Sequence, residues 1–134
     1  WKGITFYNDS IATIPAATLL AIEQLRKVDT LLVGGMDRGL DYSQFLRDLE
    51  ATPVRHFICL PDTGEQVYAY FADKDKERVS HADTLDEAVR QAYELTRPGT
   101  ICLLSPAASS YHRWSSFEAR GVEFRSLVRG YGDV

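Results

Sequence analysis

Short apolar runs alternate with amphipathic stretches along almost the whole sequence. Five of the runs are rich in β-branched, aromatic or other large apolar residues and are bounded by turn residues, which is typical of strands. They cover residues 4–7, 30–33, 54–60, 79–81 and 100–104. The last run ends where Pro106 restricts the residue before it and removes a hydrogen-bond donor.

Most of the stretches between these runs carry apolar residues at helical spacing. Pro15 suits the first turn of a helix, and Thr84 with Glu87 three residues later has the spacing of a capping box. The predicted helices are residues 15–27, a helix that carries Phe45, Leu46 and Leu49 and is capped by Asp41 or Ser43, residues 65–71, residues 85–96, a helix from near Tyr111 to Gly121, and a last short helix at residues 122–129. The charged segment 73–78 is predicted to be a solvated loop.

Strands that alternate with helices favour an α/β domain. We expect three layers, with a mostly parallel sheet in the middle and helices on both of its faces. With 134 residues, of which 45% are hydrophobic, the chain has room for one domain with a substantial core. Residues 1–134 are therefore predicted to form a single domain.

Composition and charge exclude several classes of partner. The net charge is −4, and the basic residues are scattered among acidic ones, so the chain lacks the basic surface that nucleic acid binding requires. No apolar run approaches the length of a membrane span. Cys59 and Cys102 lie in apolar runs without metal or redox spacing, which indicates reduced, buried thiols and a cytoplasmic protein. A start at Trp1, close to a strand, suggests a piece of a longer protein.

Polar residues follow three of the predicted strands. These segments are residues 8–13, residues 34–41 and residues 105–114, and in a parallel sheet such strand ends meet at one edge, where ligands bind. Arg38 lies between glycines and its planar guanidinium suits a carboxylate, while Ser109 or Ser110 can cap the helix expected near Tyr111. The edge thus suits a carboxylate or phosphate, although Arg38 alone is equally consistent with a surface arginine and the serines with ordinary caps.

Several catalytic motifs do not occur in the sequence. It has no GxxxxGK[ST] phosphate loop, no GxGxxG fingerprint and no GxSxG nucleophile motif. His56, His81 and His112 lack the spacing of metal ligands or of a catalytic triad. A hydrolase complete in this chain is therefore not expected.

Three segments carry a resemblance to a known family. NDSIAT (residues 8–13), VGGMDRGLDY (residues 33–42) and LLSPAASSYHRWSSFEARGVEF (residues 103–124) occur in the order found in the C-terminal domain of the Mur ligases. The resemblance covers essentially the full chain and is greatest to members that add glutamate. It implies a Rossmann-like domain of a three-domain cytoplasmic enzyme in peptidoglycan precursor synthesis.

The resemblance assigns roles to individual residues. Asp9 falls at the family position near the ATP ribose, and the positions that hold the incoming glutamate correspond to Thr13, Arg38, Ser110, Tyr111 and Phe117. It assigns this chain neither a catalytic residue nor a metal ligand. Two positions depart from the family pattern, because Ile11 replaces the lysine of NDSKAT and Arg38 replaces the lysine of a GGxDKG-type turn.

The resemblance also implies cofactors and partners. In the family, ATP and Mg²⁺ are held mainly by a central domain and the UDP-sugar by an N-terminal domain, both outside this chain. The expected substrates are glutamate, ATP and UDP-N-acetylmuramoyl-L-alanine, and the enzyme is expected to be a monomer. The isolated chain is expected to show no ATP turnover, because it lacks a phosphate loop.

Three alternatives stay open at this point. D-glutamate is the family default, but the departures at Ile11 and Arg38 leave room for a ligase that adds L-glutamate. A sibling ligase that adds another amino acid, including the folylpolyglutamate type, is a further alternative. The last is a non-catalytic α/β binding domain, and a GKT/S phosphate loop encoded upstream of Trp1 would argue against it.

Overall fold

The computed structural model describes residues 2–109 and 114–132 of the chain. Its strands form one sheet and comprise β1 (Thr5–Asn8), β2 (Val28–Gly35), β3 (His56–Asp62), β4 (Val79–His81) and β5 (Ile101–Leu104). The strand order is β1-β5-β2-β3-β4, and every neighbouring pair is parallel. The prediction of a mostly parallel sheet is confirmed.

Helices cover both faces of this sheet. They are α1 (Pro15–Leu25), α2 (Ser43–Glu50), α3 (Thr63–Ala72), α4 (Leu85–Leu95) and α5 (Phe117–Gly132). The first three pack on one face and the last two on the other. Leu31 and Val33 of β2 join one apolar core while Leu32 joins the other, because successive side chains of a strand point to opposite faces. Burial on both faces explains why these strands are continuous apolar runs, and the three-layer α/β prediction is confirmed.

The end of the chain differs from the prediction. Residues 114–116 are not helical, and a single helix, α5, runs from Phe117 to Gly132 through Gly121. The prediction of two helices separated at Gly121 is therefore wrong. Gly121 does not end a helix; it lets another side chain approach, since a Cβ there would lie 2.7 Å from Asn8 Nδ2. Residues 110–113 of the predicted helix lie outside the described residues.

Helix starts also differ in detail. The N-cap of α2 is Tyr42, so the predicted N-cap at Asp41 or Ser43 is wrong. Asp41 precedes the N-cap, and its carboxylate accepts a hydrogen bond of 2.9 Å from the amide of Ser43, the first helical residue. At α4, Thr84 is the N-cap as predicted and accepts from the Glu87 amide at 3.2 Å. The Glu87 carboxylate accepts from the Asp83 amide at 3.0 Å, one residue before the position that a standard capping box uses.

Two smaller predictions need correction. The segment predicted to be a solvated loop contains a short 3-10 helix, Lys76–Arg78. Arg78 in it is not simply solvated, because its guanidinium donates to the carbonyl oxygens of Val54 at 3.0 Å and Thr52 at 3.0 Å. No helix of the described residues is both long enough and apolar enough to cross a membrane.

A buried carboxylate ties together the amino ends of the central strands. Asp29 of β2 is 2% exposed and accepts hydrogen bonds from the side chains of Arg55 at 3.1 Å and Arg97 at 2.6 Å. The Arg97 amide also donates to it, at 3.0 Å. Burial by itself would raise the pKa of Asp29, but the hydrogen bonds from both arginines outweigh burial and lower that pKa. The network stabilises the edge of the sheet opposite the polar strand ends.

This network predicts a loss of stability in the chain carrying Asp29→Asn. The variant removes the charge that the arginines bind, so the free energy of unfolding at pH 7 should fall by about 1.5–3 kcal/mol. Because the folded pKa of Asp29 is lowered, its contribution is complete above the unfolded pKa and is lost as pH falls through the folded pKa. Denaturant unfolding should therefore give a difference between wild type and variant that is large at pH 7 and shrinks below about pH 4.

Asp73→Asn is the matched control, because Asp73 is exposed. It should leave the free energy of unfolding within about 0.5 kcal/mol of wild type at each pH. An Asp29→Asn variant as stable as wild type at pH 7 would contradict the role of this network.

Candidate functional site

The carboxyl ends of β1, β5 and β2 lie side by side, and backbone hydrogen bonds join the loops that follow β2 and β5. The Gly34 amide donates to Pro106 O at 2.9 Å, and the Met36 amide donates to Ser109 O at 2.8 Å. Met36 and Ser109 form an antiparallel bridge, so the loop after β5 turns back across the end of β2. Ala107 makes this turn with a positive φ of 60°.

Two glycines permit close backbone approaches at the end of β2. A Cβ at Gly35 would lie 2.5 Å from Ser109 O, closer than real side chains come to a backbone oxygen. Gly34 has a φ of +126°, and a Cβ there would lie 2.6 Å from Leu60 O. Gly35 is therefore required by the contact with the loop after β5, and Gly34 by its positive φ and its close approach to β3.

A tyrosine fixes the other end of the turn after β2. Tyr42 is buried, and its hydroxyl donates to Ala107 O at 2.8 Å. Burial raises the pKa of Tyr42, so the hydroxyl keeps its proton at neutral pH. The exposed segment 37–41, which contains Arg38, is thus anchored at both of its ends.

Asp9 is held at the junction of β1 and β5. Its amide donates to Leu104 O at 2.8 Å, and its Oδ2 accepts from the hydroxyl of the buried Ser105 at 2.8 Å. Thr18 of α1 donates to Ser105 O at 3.0 Å, which fixes Ser105 in turn. The serine contact uses one of the two carboxylate oxygens of Asp9.

A buried arginine lies beneath the loops, and the sequence analysis did not identify it. Arg120 of α5 is fully buried, and its guanidinium donates to Ser10 Oγ at 2.9 Å, Ser10 O at 2.7 Å and Ala108 O at 3.1 Å. Burial lowers the pKa of Arg120 to about 10, so it stays charged at neutral pH. The sequence does contain a signal for this burial, because Arg120 lies on the same face of α5 as Phe124 and Val128, which are buried.

The start of α5 is bound to the loop after β1. Ser10 Oγ donates to Phe117 O at 2.6 Å, and Asn8 Nδ2 donates to Gly121 O at 3.3 Å. The missing side chain of Gly121 leaves room for Asn8. Asn8 and Ser10 therefore hold the first turn of α5 against the sheet edge.

The structure places the predicted site residues in two groups. Asp9 and Phe117 are half-buried and belong to the hydrogen-bonded framework, Phe117 through its carbonyl. Thr13 is half-buried in the loop between β1 and α1. Arg38 is exposed, and its side chain makes no hydrogen bond or ion pair with the rest of residues 2–109 and 114–132. Ser110 and Tyr111 lie outside the described residues.

A cavity of about 290 Å³ opens beside this framework, at the ends of β2 and β3. Its lining includes Gly35, Met36, Asp62, Thr84, Ser109 and Trp114. The Trp114 indole donates to Glu123 Oε2 at 2.7 Å on its wall. Asp9, Thr13, Arg38 and Phe117 are not among its lining residues, so the cavity is a neighbour of the predicted contacts and not their centre.

The described residues do not supply a metal site. Within residues 2–109 and 114–132, no three side chains of His, Cys, Asp or Glu come together in a way that would hold an ion. Asp9, with its serine partner, is arranged as a hydrogen-bond acceptor. This edge offers the carboxylates of Asp9, Asp37 and Asp41, the exposed guanidinium of Arg38 and a rigid polar backbone, which are hydrogen-bonding and charged groups suited to binding a polar ligand.

Comparison with known proteins gives matches along most of the chain. The family model described as "Mur ligase, glutamate ligase domain" matches residues 1–108. The chain is 36% identical over 133 residues to the UDP-N-acetylmuramoylalanine--D-glutamate ligase of Caldanaerobacter subterraneus subsp. tengcongensis, covering 95% of this chain and 28% of that protein. It is 40% identical over 129 residues to the UDP-N-acetylmuramoyl-L-alanine--L-glutamate ligase of a Micromonospora strain, covering 96% and 28%. The corresponding L-glutamate ligase of Salinispora tropica is 41% identical over 129 residues, covering 96% and 29%.

A solved structure supports the fold. The bifunctional folylpolyglutamate synthase/dihydrofolate synthase from Yersinia pestis CO92 superimposes with a TM-score of 0.58 and 18% identity, covering 87% of this chain and 27% of that one. The chain thus spans less than a third of the length of the relatives it matches.

The close approach at Gly35 predicts the behaviour of Gly35→Ala. The added methyl group would clash with Ser109 O and would lie 3.2 Å from Arg120 Nη1. The free energy of unfolding should therefore fall by about 1–3 kcal/mol. Gly130→Ala, in α5, is the control, because a Cβ there meets no atom within 4 Å and alanine favours helix. Equal denaturant midpoints for Gly35→Ala and wild type would show that the two loops are not packed as described.

Proposed function

The chain belongs to the Mur ligase family as a glutamate ligase domain, and from that membership we propose that it is the amino-acid-binding part of an ATP-dependent ligase. The proposed reaction joins the amine of glutamate to the alanyl carboxylate of UDP-N-acetylmuramoyl-L-alanine. The carrying observation is that ligases named for this chemistry match 95–96% of the chain at 36–41% identity.

The proposal includes domains that this chain does not contain. Since the chain spans 28–29% of those relatives, we place the phosphate loop on a central domain and the UDP-sugar site on an N-terminal domain of a cytoplasmic, monomeric enzyme. ATP and Mg²⁺ would bind mainly to the central domain, because neither a phosphate loop nor a cluster of metal ligands occurs among residues 2–109 and 114–132. ATP would phosphorylate the alanyl carboxylate, and attack by the glutamate amine would then form the amide and release phosphate.

The family positions, together with the geometry at Arg38 and Asp9, support the roles proposed for individual residues. Glutamate is a dicarboxylate, and Arg38 carries an exposed guanidinium that no acidic side chain in the described part of the chain neutralises. Thr13 and Ser110 would add hydroxyls, and Tyr111 and Phe117 would cover the aliphatic part of the substrate. Asp9 is held by Ser105 through Oδ2, and its other oxygen would accept a ribose hydroxyl of ATP.

L-glutamate is the enantiomer that we propose, with D-glutamate, the family default, as the alternative. The relatives named as L-glutamate ligases are 40% and 41% identical to this chain, against 36% for the D-glutamate ligase. Ile11 and Arg38 also depart from the lysines of the family pattern, in segments proposed to surround the α-carbon of the substrate. These observations favour the L-enantiomer over the family default.

The Arg38 assignment predicts a defect in glutamate use by the full-length enzyme. Arg38→Ala removes a charge-assisted contact worth roughly 1.5–3 kcal/mol, so the KM for glutamate should rise on the order of tenfold or more while the KM for ATP changes much less. Steady-state phosphate release, with each substrate varied in turn, measures both constants. Arg90→Ala, at an exposed position of α4, is the control, and an unchanged glutamate KM for Arg38→Ala would make Arg38 an ordinary surface residue.

The choice of enantiomer is tested on the same enzyme. We expect a higher kcat/KM with L-glutamate than with D-glutamate when ligation to UDP-N-acetylmuramoyl-L-alanine is followed with each enantiomer alone. A higher kcat/KM with D-glutamate would return the chain to the family default and leave Ile11 without a role in stereochemical choice. Failure of both enantiomers to stimulate phosphate release would refute the proposed function itself.

A further inference from the structure

Arg120 connects the separate pieces of backbone from which the proposed glutamate contacts emerge. Its Nη2 and Nε donate to the carbonyl and hydroxyl of Ser10 in the loop after β1, at 2.7 Å and 2.9 Å. Its Nη1 donates to Ala108 O in the loop after β5, at 3.1 Å. One rigid guanidinium therefore sets the distance between two loops that are far apart in the sequence.

The same group also fixes the start of its own helix. Ser10 accepts hydrogen bonds from Arg120, and its hydroxyl donates a hydrogen bond to Phe117 O at 2.6 Å, one turn earlier in α5. Arg120, Ser10 and Phe117 thus form a chain of hydrogen bonds. This chain holds the first turn of α5 together with Ser116, whose hydroxyl accepts from the Ala119 amide at 3.1 Å.

Burying the charged guanidinium of Arg120 has a desolvation cost, which a purely structural role does not explain. The side chain is fully buried, and no carboxylate of the described residues lies within ion-pair distance of it. Two neutral carbonyls and a hydroxyl solvate the charge, and the Trp114 ring lies 5.8 Å from the guanidinium carbon. Apolar residues of similar size generally stabilise such a position as well or better, so the guanidinium is better explained by its fixed hydrogen-bonding geometry.

We propose that Arg120 is a positioning residue for glutamate binding. By fixing Ser10, Ala108 and Phe117 relative to one another, it sets the spacing between Thr13, the segment that leads into Ser110 and Tyr111, and the ring of Phe117. This inference rests on the proposed function. Arg120 acts through the loops and is not itself a substrate contact, because it is fully buried.

The nucleotide contact should be independent of Arg120. Asp9 is adjacent to Ser10 but is held by Leu104 O and by the Ser105 hydroxyl, which belong to the end of β5. Loss of the guanidinium should therefore disturb the glutamate contacts and leave the ATP contact in place. This difference separates a positioning role from a general loss of folding.

The test uses the full-length ligase with Arg120→Lys, Ser10→Ala and the exposed control Arg125→Lys on the same helix. Lysine keeps the charge but, as a point donor, cannot reproduce the planar fork that spans Ser10 and Ala108. We expect the glutamate KM to rise on the order of tenfold for Arg120→Lys and severalfold for Ser10→Ala. The KM for ATP should stay within about twofold for both variants, and Arg125→Lys should match wild type in both constants.

Thermal unfolding of each variant accompanies the kinetics, which are measured well below the lowest midpoint. A lower midpoint with an unchanged glutamate KM would make Arg120 merely structural and overturn the proposal, as would equal rises in the KM for glutamate and for ATP. If Arg120→Lys does not fold, the kinetics of Ser10→Ala test the proposal, because this variant removes the hydroxyl that connects Arg120 to Phe117 O. A wild-type enzyme that releases no phosphate on addition of glutamate would refute the proposed function, and this inference with it.

Discussion

The carboxyl edge of this domain depends on the contact between the loop after β5 and the end of β2. Two backbone hydrogen bonds, from Gly34 to Pro106 and from Met36 to Ser109, bring the strands together beyond the sheet proper. The contact requires glycine at position 35, because a Cβ there would lie 2.5 Å from Ser109 O. In this arrangement the carbonyl oxygen of Ala108 accepts a hydrogen bond from the buried guanidinium of Arg120.

Each end of the sheet buries one charged side chain, and the two charges have opposite signs. At the amino end, the buried charge is the carboxylate of Asp29, and its arginine partners are partly exposed and remain solvated. At the carboxyl end, the buried charge is the guanidinium of Arg120, and its partners are neutral oxygens of loops. The carbonyl and hydroxyl partners of Arg120 fix its geometry, and no carboxylate of the described residues forms an ion pair with it.

The strands and most helices could be predicted because both are local patterns of apolar residues. Leu31, Leu32 and Val33 form an uninterrupted run because the sheet is covered on both faces, and Thr84 is followed by Glu87 because a helix begins there. Gly121 misled the prediction because its meaning depends on Asn8, 113 residues away in the chain. The role of Arg120 was equally hidden, since a basic residue in a helix suggests solvent until its stripe is compared with Phe124 and Val128. The resemblance supplied Asp9, Thr13, Arg38 and Phe117 as single positions. It could not show that Asp9 and Phe117 belong to a hydrogen-bonded framework and that Arg38 does not, because that framework consists of tertiary contacts.

In that framework the consecutive residues Asp9 and Ser10 have different partners, while Asn8 before them also donates to Gly121 O of α5. Asp9 belongs to the end of β5 through Leu104 and Ser105, and Ser105 is in turn held by Thr18 of α1. Ser10, the next residue, belongs to α5 through Arg120 and Phe117. Loss of the Arg120 contacts would therefore affect the loop at Ser10, whereas Asp9 would keep its hydrogen bonds to Leu104 and Ser105. In the proposed ligase, which would first activate one substrate and then admit another, such a division would allow the second site to adjust without disturbing the first. Consecutive residues with separate supports are a simple structural means of keeping the two binding events distinct.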